Sequence, residues 1–207
     1  MSISIQGLSY RYGSRMALDG VDIEVASGNV AALLGSNGAG KSTLFKILCG
    51  LLRPVQGSVR VNGSALPQAR ASIGYVAQKF GLYEDLTVEQ NIRFFAQAYG
   101  MDSKTVSERT VELMNRFELT PRRKDRAGAL SQGWKQRLAF ASSLAHRPAV
   151  LLLDEVTAGL DPDARQYVWE VIRAEADRGV TVLLSTHHMD EAGRCDSSIW
   201  LKEGRRQ

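Results

Sequence analysis

The chain has 207 residues, of which 44% are hydrophobic and 23% charged, the proportions of an ordinary globular protein rather than a disordered one. Its formal net charge of +4 is too small, by itself, to indicate a nucleic-acid partner, and we expect none. No run of residues reaches the roughly 18 apolar positions of a membrane-spanning helix. Cys49 and Cys195 lie far apart in a chain without a recognisable signal peptide, so we expect reduced packing thiols and a cytosolic location.

The first third of the chain predicts a small antiparallel sheet. Residues 2–10 and 17–25 alternate apolar with polar or small side chains, the pattern of half-buried strands. Residues 58–61 and 73–77 are expected to extend the same sheet. Asn62-Gly63 directly after the first of these two segments is a strong hairpin signal.

The middle of the chain, residues 79–145, predicts a mainly helical segment. Thr87 and Gln90 have the capping-box spacing at the start of one helix. Ser103 is expected to cap a second helix, and Ser131 begins a third.

The last third returns to alternating strands and helices. Residues 150–153 and 180–184 are continuous apolar runs, typical of strands covered on both faces of a parallel sheet. Between them Asp161 is expected to cap a helix that has Pro162 at its first position. Strand, helix and strand in this order predict a parallel crossover and an α/β core.

A phosphate-binding loop is indicated at residues 35–42, which read GSNGAGKS and match GxxxxGK[ST] in full. The segment lies between an apolar run at 30–34 and a predicted helix over 43–52, the context in which backbone N–H groups surround phosphate oxygens. Lys41 is expected to reach the β- and γ-phosphates, and the Ser42 hydroxyl to ligate Mg²⁺. The alternative is a glycine-rich turn without a ligand.

Two acidic residues follow the apolar run at 150–153. Asp154, at the tip of a predicted strand, is expected to hold Mg²⁺ directly or through water. Glu155 is expected to orient and deprotonate the water that attacks the γ-phosphate. The alternative for this pair is a helix cap or an exposed turn.

Five segments, in this order, resemble the nucleotide-binding subunit of ATP-binding cassette (ABC) transporters: GSNGAGKS, AQKFGLYEDLTVEQN, LSQGWKQR, LLLDEVTAGLD and STHHMDEA. The resemblance covers nearly the whole chain. It implies an α/β fold made of a P-loop NTPase core with an antiparallel β subdomain and an inserted helical subdomain. Residues 1–78 and 146–207 would form the core with its β subdomain, and residues 79–145 the helical subdomain that carries the LSQG signature.

The resemblance also implies roles for single residues. Tyr12 resembles the aromatic residue that stacks on adenine, with a packing tyrosine at a strand end as the alternative. Gln78 resembles the glutamine that contacts Mg²⁺ and the attacking water, with a polar loop residue as the alternative. His187 resembles the histidine that bonds the γ-phosphate, which leaves His188 as a surface residue.

Together, the expected site has three groups of residues. The catalytic group is Glu155, His187 and Gln78. The metal ligands are Ser42, Gln78 and Asp154. The residues expected to bind ATP are Tyr12, Gly35, Ser36, Asn37, Gly38, Ala39, Gly40, Lys41, Ser42, Thr43, Ser131, Gly133 and Asp161.

The signature implies a second subunit. Ser131, the backbone at Gly133 and the following helix N-terminus make a second phosphate cradle, which one subunit does not need for one nucleotide. In the family each ATP lies between the phosphate loop of one subunit and the signature of another, so we expect a head-to-tail homodimer. Asp161 would face the opposite subunit.

A membrane-spanning subunit is the other expected partner. It would dock near Phe80, Leu82 and Tyr83, which places the chain peripherally on the cytoplasmic face of the membrane.

Three positions differ from the commonest family pattern: Gln132 for glycine, Trp134 for glutamine and Val156 for proline. Trp134 favours an export-type subunit, and Val156 is expected to slow hydrolysis at most, since valine does not fix φ.

Two other functions are alternatives to a transporter subunit: a soluble nucleotide-gated clamp on ribosomes or DNA, and an ATP-binding regulator that hydrolyses poorly. The sequence ends soon after residues 199–201, so it is either a fragment of a longer polypeptide or a short subunit.

Overall fold

The computed structural model describes residues 1–207 as two sheets and six α-helices, joined by turns and short 3₁₀ segments. The strands are β1 (Ile3–Tyr12), β2 (Arg15–Val25), β3 (Val30–Leu34), β4 (Gln56–Val61), β5 (Ser64–Ala65), β6 (Ile73–Val76), β7 (Val150–Asp154), β8 (Thr181–Thr186), β9 (Ser197–Lys202) and β10 (Arg205–Arg206). The helices are α1 (Lys41–Leu48), α2 (Val88–Ala98), α3 (Ser103–Arg116), α4 (Gln132–Ser143), α5 (Pro162–Asp177) and α6 (Met189–Ala192). None of the helices combines the length and the apolar character that crossing a membrane requires.

The chain divides into two compact units. One contains residues 1–75 and 149–207, and the other contains residues 76–148. These divisions lie three residues from the boundaries at 78/79 and 145/146 that the sequence indicated. The assignment of the units as a nucleotide-binding core and a signature-bearing helical subdomain stays a proposal.

A four-stranded antiparallel sheet has the strand order β2-β1-β4-β5. Alternate residues of β1 and β2, such as Ile3, Ile5 and Ile23, are fully buried, as the alternating pattern predicted. Asn62 and Gly63 join β4 to β5 with φ of 49° and 78°. Both values lie in the left-handed region that a tight hairpin turn requires, so the predicted hairpin is confirmed.

A six-stranded sheet has the strand order β10-β9-β3-β8-β7-β6. Strands β3, β7, β8 and β9 pair in parallel, and every residue of β3, β7 and β8 is buried, as the continuous apolar runs predicted. The expectation that residues 73–77 extend the antiparallel sheet was wrong, because β6 lies beside β7 in this second sheet. Consecutive residues Ile73 and Gly74 are both buried there, which suits a strand covered on both faces rather than a half-buried one.

In the unit of residues 76–148, helix α2 begins with the predicted capping box. The Thr87 hydroxyl accepts from the Gln90 amide, and the Gln90 side chain accepts from the Thr87 amide. Helix α3 differs from the prediction, because Asp102 rather than Ser103 is its N-cap residue. The Asp102 carboxylate accepts from the amides of Lys104 and Thr105, and its ionised oxygens are stronger acceptors than a serine hydroxyl.

Candidate functional site

The predicted phosphate loop connects β3 to α1 and is shaped by glycines. Gly38 and Gly40 have φ of 82° and 109°, in the region that favours glycine. A Cβ atom on Gly40 would lie 2.7 Å from the Ala17 carbonyl oxygen, and one on Gly35 would lie 2.4 Å from the Leu201 carbonyl oxygen. The neighbouring backbone therefore allows only glycine at these two positions.

Lys41, the first residue of α1, turns its side chain back over the loop. Its Nζ atom donates to the carbonyl oxygens of Gly35 at 2.7 Å and Ser36 at 3.3 Å, and the residue is only 5% exposed. The same atom lies 3.6 Å from Glu155 Oε1. This ammonium group is thus held at the centre of the loop, next to the acidic pair that follows β7.

The N-terminus of α1 is open to an anion. No side chain caps this helix and its first turn contains no acidic residue, so its first N–H groups and positive dipole end are not offset by a carboxylate. Within this turn the Ser42 side chain is exposed, whereas Thr43 is buried. Ser42 is therefore the hydroxyl that a bound ion can reach.

Asp154 ends β7 as a buried carboxylate with a donor on each oxygen. Ser185 Oγ donates to Asp154 Oδ1 at 2.5 Å, and the Tyr75 hydroxyl donates to Oδ2 at 3.4 Å. The carboxylate influences two further groups. Burial, and next the charge of Asp154, raise the pKa of the Cys49 thiol to about 12, and the same two causes raise the pKa of Tyr75 above its ordinary value.

Glu155 has a backbone φ of 49°, an uncommon value for a residue with a side chain. Its amide donates to Ser185 Oγ at 3.0 Å and to the Ser185 carbonyl oxygen at 3.2 Å. The carboxylate of Glu155 lies between two cationic or protonatable groups, Lys41 at 3.6 Å and His187 Nδ1 at 3.9 Å. The two halves of the predicted site, which are distant in the sequence, therefore meet at Glu155.

His187 follows β8 and its side chain is 44% exposed, so it can reach a ligand in front of Glu155. Its ring centroid lies 4.2 Å from that of His188. His188 is partly exposed as the N-cap residue of α6, and its assignment as a surface residue stays a prediction. Its amide donates to Thr186 Oγ1 at 3.0 Å, which fixes the turn between β8 and α6.

Tyr12 is the last residue of β1, is 46% exposed and packs edge-on against Tyr10 with 4.9 Å between ring centroids. Its cross-strand partner is Arg15. The guanidinium of Arg15 points towards the phosphate loop, since a Cβ on Gly38 would lie 3.9 Å from Arg15 Nη2. Arg15 is a candidate phosphate-binding residue that the sequence did not identify, and it matches no position of a short motif.

Asp161 is the N-cap residue of α5, and its Oδ1 atom accepts from the Ala164 amide at 2.9 Å. The remaining predicted residues lie in the unit of residues 76–148. Gln78 is exposed after β6. Ser131 is the N-cap residue of α4 but makes no side-chain capping bond, and a Cβ on Gly133 would meet no atom within 4 Å.

An aromatic cluster on the same unit consists of Tyr83, Phe94 and Phe95. The Tyr83 ring centroid lies 4.5 Å from that of Phe94 and 6.0 Å from that of Phe95. Tyr83 is 48% exposed and Phe94 is 39% exposed, whereas Phe80 and Leu82 are half-buried. Two large aromatic residues thus form an exposed apolar surface at this place.

The chemistry of these residues fits a magnesium nucleotide. The loop supplies a helix N-terminus and an ammonium group for phosphates, while Ser42 and Asp154 are oxygen donors of the kind that Mg²⁺ prefers. No group of three or more His, Cys, Asp or Glu side chains could hold a metal ion alone. Magnesium is commonly bound by one or two protein ligands together with phosphates and water, so a site with few protein ligands suits it.

The chain is similar to known proteins over most of its length. Residues 18–158 match the family model described as ABC transporter. The chain is 44% identical, over 94% of its length, to the "Probable multidrug ABC transporter ATP-binding protein YbhF" of Escherichia coli, of which it spans 34%. It is 38% identical, over 99% of its length, to the "Nod factor export ATP-binding protein I" of Ralstonia nicotianae, of which it spans 65%.

Among solved structures, the chain resembles the ATP-binding cassette MJ0796, determined as a dimer in a post-hydrolysis state bound to ADP and Pi. The TM-score is 0.87 at 26% identity, covering 99% of this chain and 96% of that one. This likeness confirms the predicted fold class, an α/β P-loop NTPase core with an antiparallel sheet and additional helices.

Proposed function

The chain belongs to the ABC transporter family of ATP-binding domains, and we propose that it binds MgATP at residues 35–43 and hydrolyses it to drive export through a separate membrane subunit. The observation that carries this proposal is the convergence of Lys41 and His187 on the Glu155 carboxylate, at 3.6 and 3.9 Å. A cation for the γ-phosphate, a carboxylate for the attacking water and an imidazole within reach of both are what in-line hydrolysis needs.

Each residue has a distinct task in this proposal. The amides of the loop and of the first turn of α1 hold the phosphates, while Lys41 neutralises the charge that develops on them. Glu155 orients the attacking water and accepts its proton, and His187 donates to the γ-phosphate. Magnesium, held by Ser42 and Asp154, would add further charge neutralisation, and Gln78 stays a predicted ligand of this ion. Tyr12 would stack on the adenine ring, since its ring is exposed at the end of β1.

The site is proposed to be completed by a second copy of the chain. Ser131 has a hydroxyl that does not cap its own helix, and a side chain on Gly133 would meet open space, so this chain alone does not require glycine there. Both features suit a surface that receives the phosphates of another subunit at the N-terminus of α4, with Asp161 beside the interface. The dimeric form of the similar cassette MJ0796 supports this arrangement.

The partner is proposed to be a membrane-spanning subunit of an exporter. The names of two relatives refer to multidrug transport and Nod factor export, although the chain spans only about a third of the first. Tyr83 and Phe94 offer exposed aromatic anchors for an amphipathic segment of that subunit, next to Phe80 and Leu82 of the predicted docking surface. The chain would then lie at the cytoplasmic face of the membrane.

The proposal is tested by measuring phosphate release from MgATP by the purified full chain and its Glu155→Gln variant. We expect the variant to bind ATP as the native chain does and to hydrolyse it about 10²- to 10⁴-fold more slowly, because the amide cannot accept a proton. Glu203→Gln is the matched control, since Glu203 also has a positive φ, of 51°, but lies in an exposed turn between β9 and β10. Equal rates for the native chain and Glu155→Gln would refute the proposal.

A further inference from the structure

Ser185 lies opposite Asp154 in the six-stranded sheet, where β7 and β8 pair in parallel. The residue is 1% exposed and its side chain is enclosed at the carboxyl edge of the two strands. Its hydroxyl therefore has no access to a nucleotide, and any effect on catalysis has to pass through the residues it contacts.

The Ser185 hydroxyl forms two hydrogen bonds in opposite directions. It donates to Asp154 Oδ1 at 2.5 Å and accepts from the Glu155 amide at 3.0 Å. A single oxygen atom thus joins the side chain of the predicted metal ligand to the backbone of the predicted catalytic residue. Both contacts span about 30 residues of sequence, so they join β7 to β8 rather than neighbours within one turn.

The hydrogen bonds of Ser185 help to hold the unusual backbone conformation of Glu155. With φ of 49°, this residue is in a conformation that side chains disfavour, and it persists only where surrounding contacts hold it. The two bonds from its amide to Ser185 are such contacts, and they set the direction in which the Glu155 carboxylate leaves the strand end.

We propose that Ser185 is a positioning residue for ATP hydrolysis, whose hydroxyl holds Asp154 and Glu155 in fixed relation by bonding the carboxylate of one and the amide of the other. This inference rests on the proposed function. The Tyr75 hydroxyl, at 3.4 Å from the second oxygen of Asp154, supports the same carboxylate more weakly.

The exchange Ser185→Ala removes both side-chain bonds. We expect kcat of the full chain to fall about 10- to 100-fold, the usual effect of removing a residue that orients a metal ligand. The Mg²⁺ concentration for half-maximal activity should rise, because Asp154 loses its strongest donor. The Kd for ATP without Mg²⁺, measured with a fluorescent ATP analogue, should stay within about twofold, since Ser185 does not touch the nucleotide.

Tyr75→Phe removes only the longer contact, so its effect on kcat should be smaller than that of Ser185→Ala. Ser185→Thr keeps a hydroxyl and should restore most of the activity. Ser142→Ala is the matched control, because Ser142 is also a buried serine, 3% exposed, and its Oγ atom has no hydrogen-bond partner.

The proposal is overturned if Ser185→Ala retains the native kcat, or if kcat falls only in proportion to lost folded protein in a thermal melt. Should this variant fail to fold, Ser185→Cys is measured instead, because a thiol keeps the volume but is a weak donor. A lower kcat in Ser185→Cys supports the proposal, and a native kcat overturns it. Failure of the proposed function is distinguishable: it would appear as native activity in Glu155→Gln, whereas failure of this inference alone would leave Glu155→Gln inactive and Ser185→Ala active.

Discussion

At the scale of single residues, the guanidinium of Arg15 places a positive charge beside the phosphate loop at Gly38. We expect Arg15→Ala to weaken ATP binding several-fold, about 1 kcal/mol, because an exposed charge near phosphates gains a modest, salt-screened attraction. Isothermal titration of the native chain and the variant with ATP would measure this loss. The loss should shrink as the salt concentration rises.

Two controls test whether the effect of Arg15 is on the phosphates of ATP. Adenosine, which has no phosphates, should bind both proteins equally, and Arg60→Ala should bind ATP like the native chain because Arg60 lies in β4 next to the hairpin carbonyl of Gly63. An equal loss for ATP and adenosine would mean that Arg15 acts on the fold or on Tyr12, its cross-strand partner, rather than on phosphates.

At the scale of secondary-structure elements, the N-cap residues of α2 and α4 both have a hydroxyl, but only that of α2 caps its helix. Thr87 forms a capping box with Gln90, whereas Ser131 makes no side-chain capping bond. We expect Thr87→Ala to lower the free energy of unfolding by about 1 kcal/mol with little change in ATPase activity per folded molecule. Ser131→Ala should cost less stability but lower ATPase activity, because its hydroxyl is free for the nucleotide of the second subunit.

Urea unfolding and phosphate release, measured on the same two variants, check this prediction. The pair separates stability from function, since each variant serves as the control for the other. Full activity in Ser131→Ala, at a protein concentration where the native chain dimerises, would count against a composite site at the signature.

At the scale of the whole molecule, the proposed docking of a membrane subunit depends on an exposed aromatic surface of the unit of residues 76–148. We expect Tyr83→Asp to lower the amount of tagged chain that sediments with the membranes of its source cells, because a carboxylate is costly to bury in an apolar contact. The fold should persist, since Tyr83 is 48% exposed. Quantifying the chain in the membrane pellet and in the supernatant measures the effect.

Val111→Asp is the control for this experiment. Val111 is 54% exposed on α3 of the same unit and is not one of the three aromatic residues of the cluster, so the variant adds the same charge at a different exposed position. If both variants sediment like the native chain, the aromatic cluster is not the docking surface.

Local features of this molecule could be predicted from the sequence because neighbouring residues determine them. The hairpin at Asn62-Gly63 and the capping box at Thr87 each depend on residue types within a few positions of one another. The apolar runs of β3, β7 and β8 likewise indicated buried strands. The N-cap of α3 was misplaced by one residue, because Asp102 and Ser103 are both good caps and only the observed hydrogen bonds distinguish them.

The sequence by itself thus indicated the residues of the proposed chemistry, the phosphate loop and the acidic pair Asp154-Glu155, together with the buried strands β3, β7 and β8. Tertiary structure decided which distant groups meet. It placed β6 beside β7, Arg15 beside Gly38 and Ser185 between Asp154 and Glu155. No local pattern specifies such contacts, because they depend on strand order and register, which follow from the packing of the whole sheet.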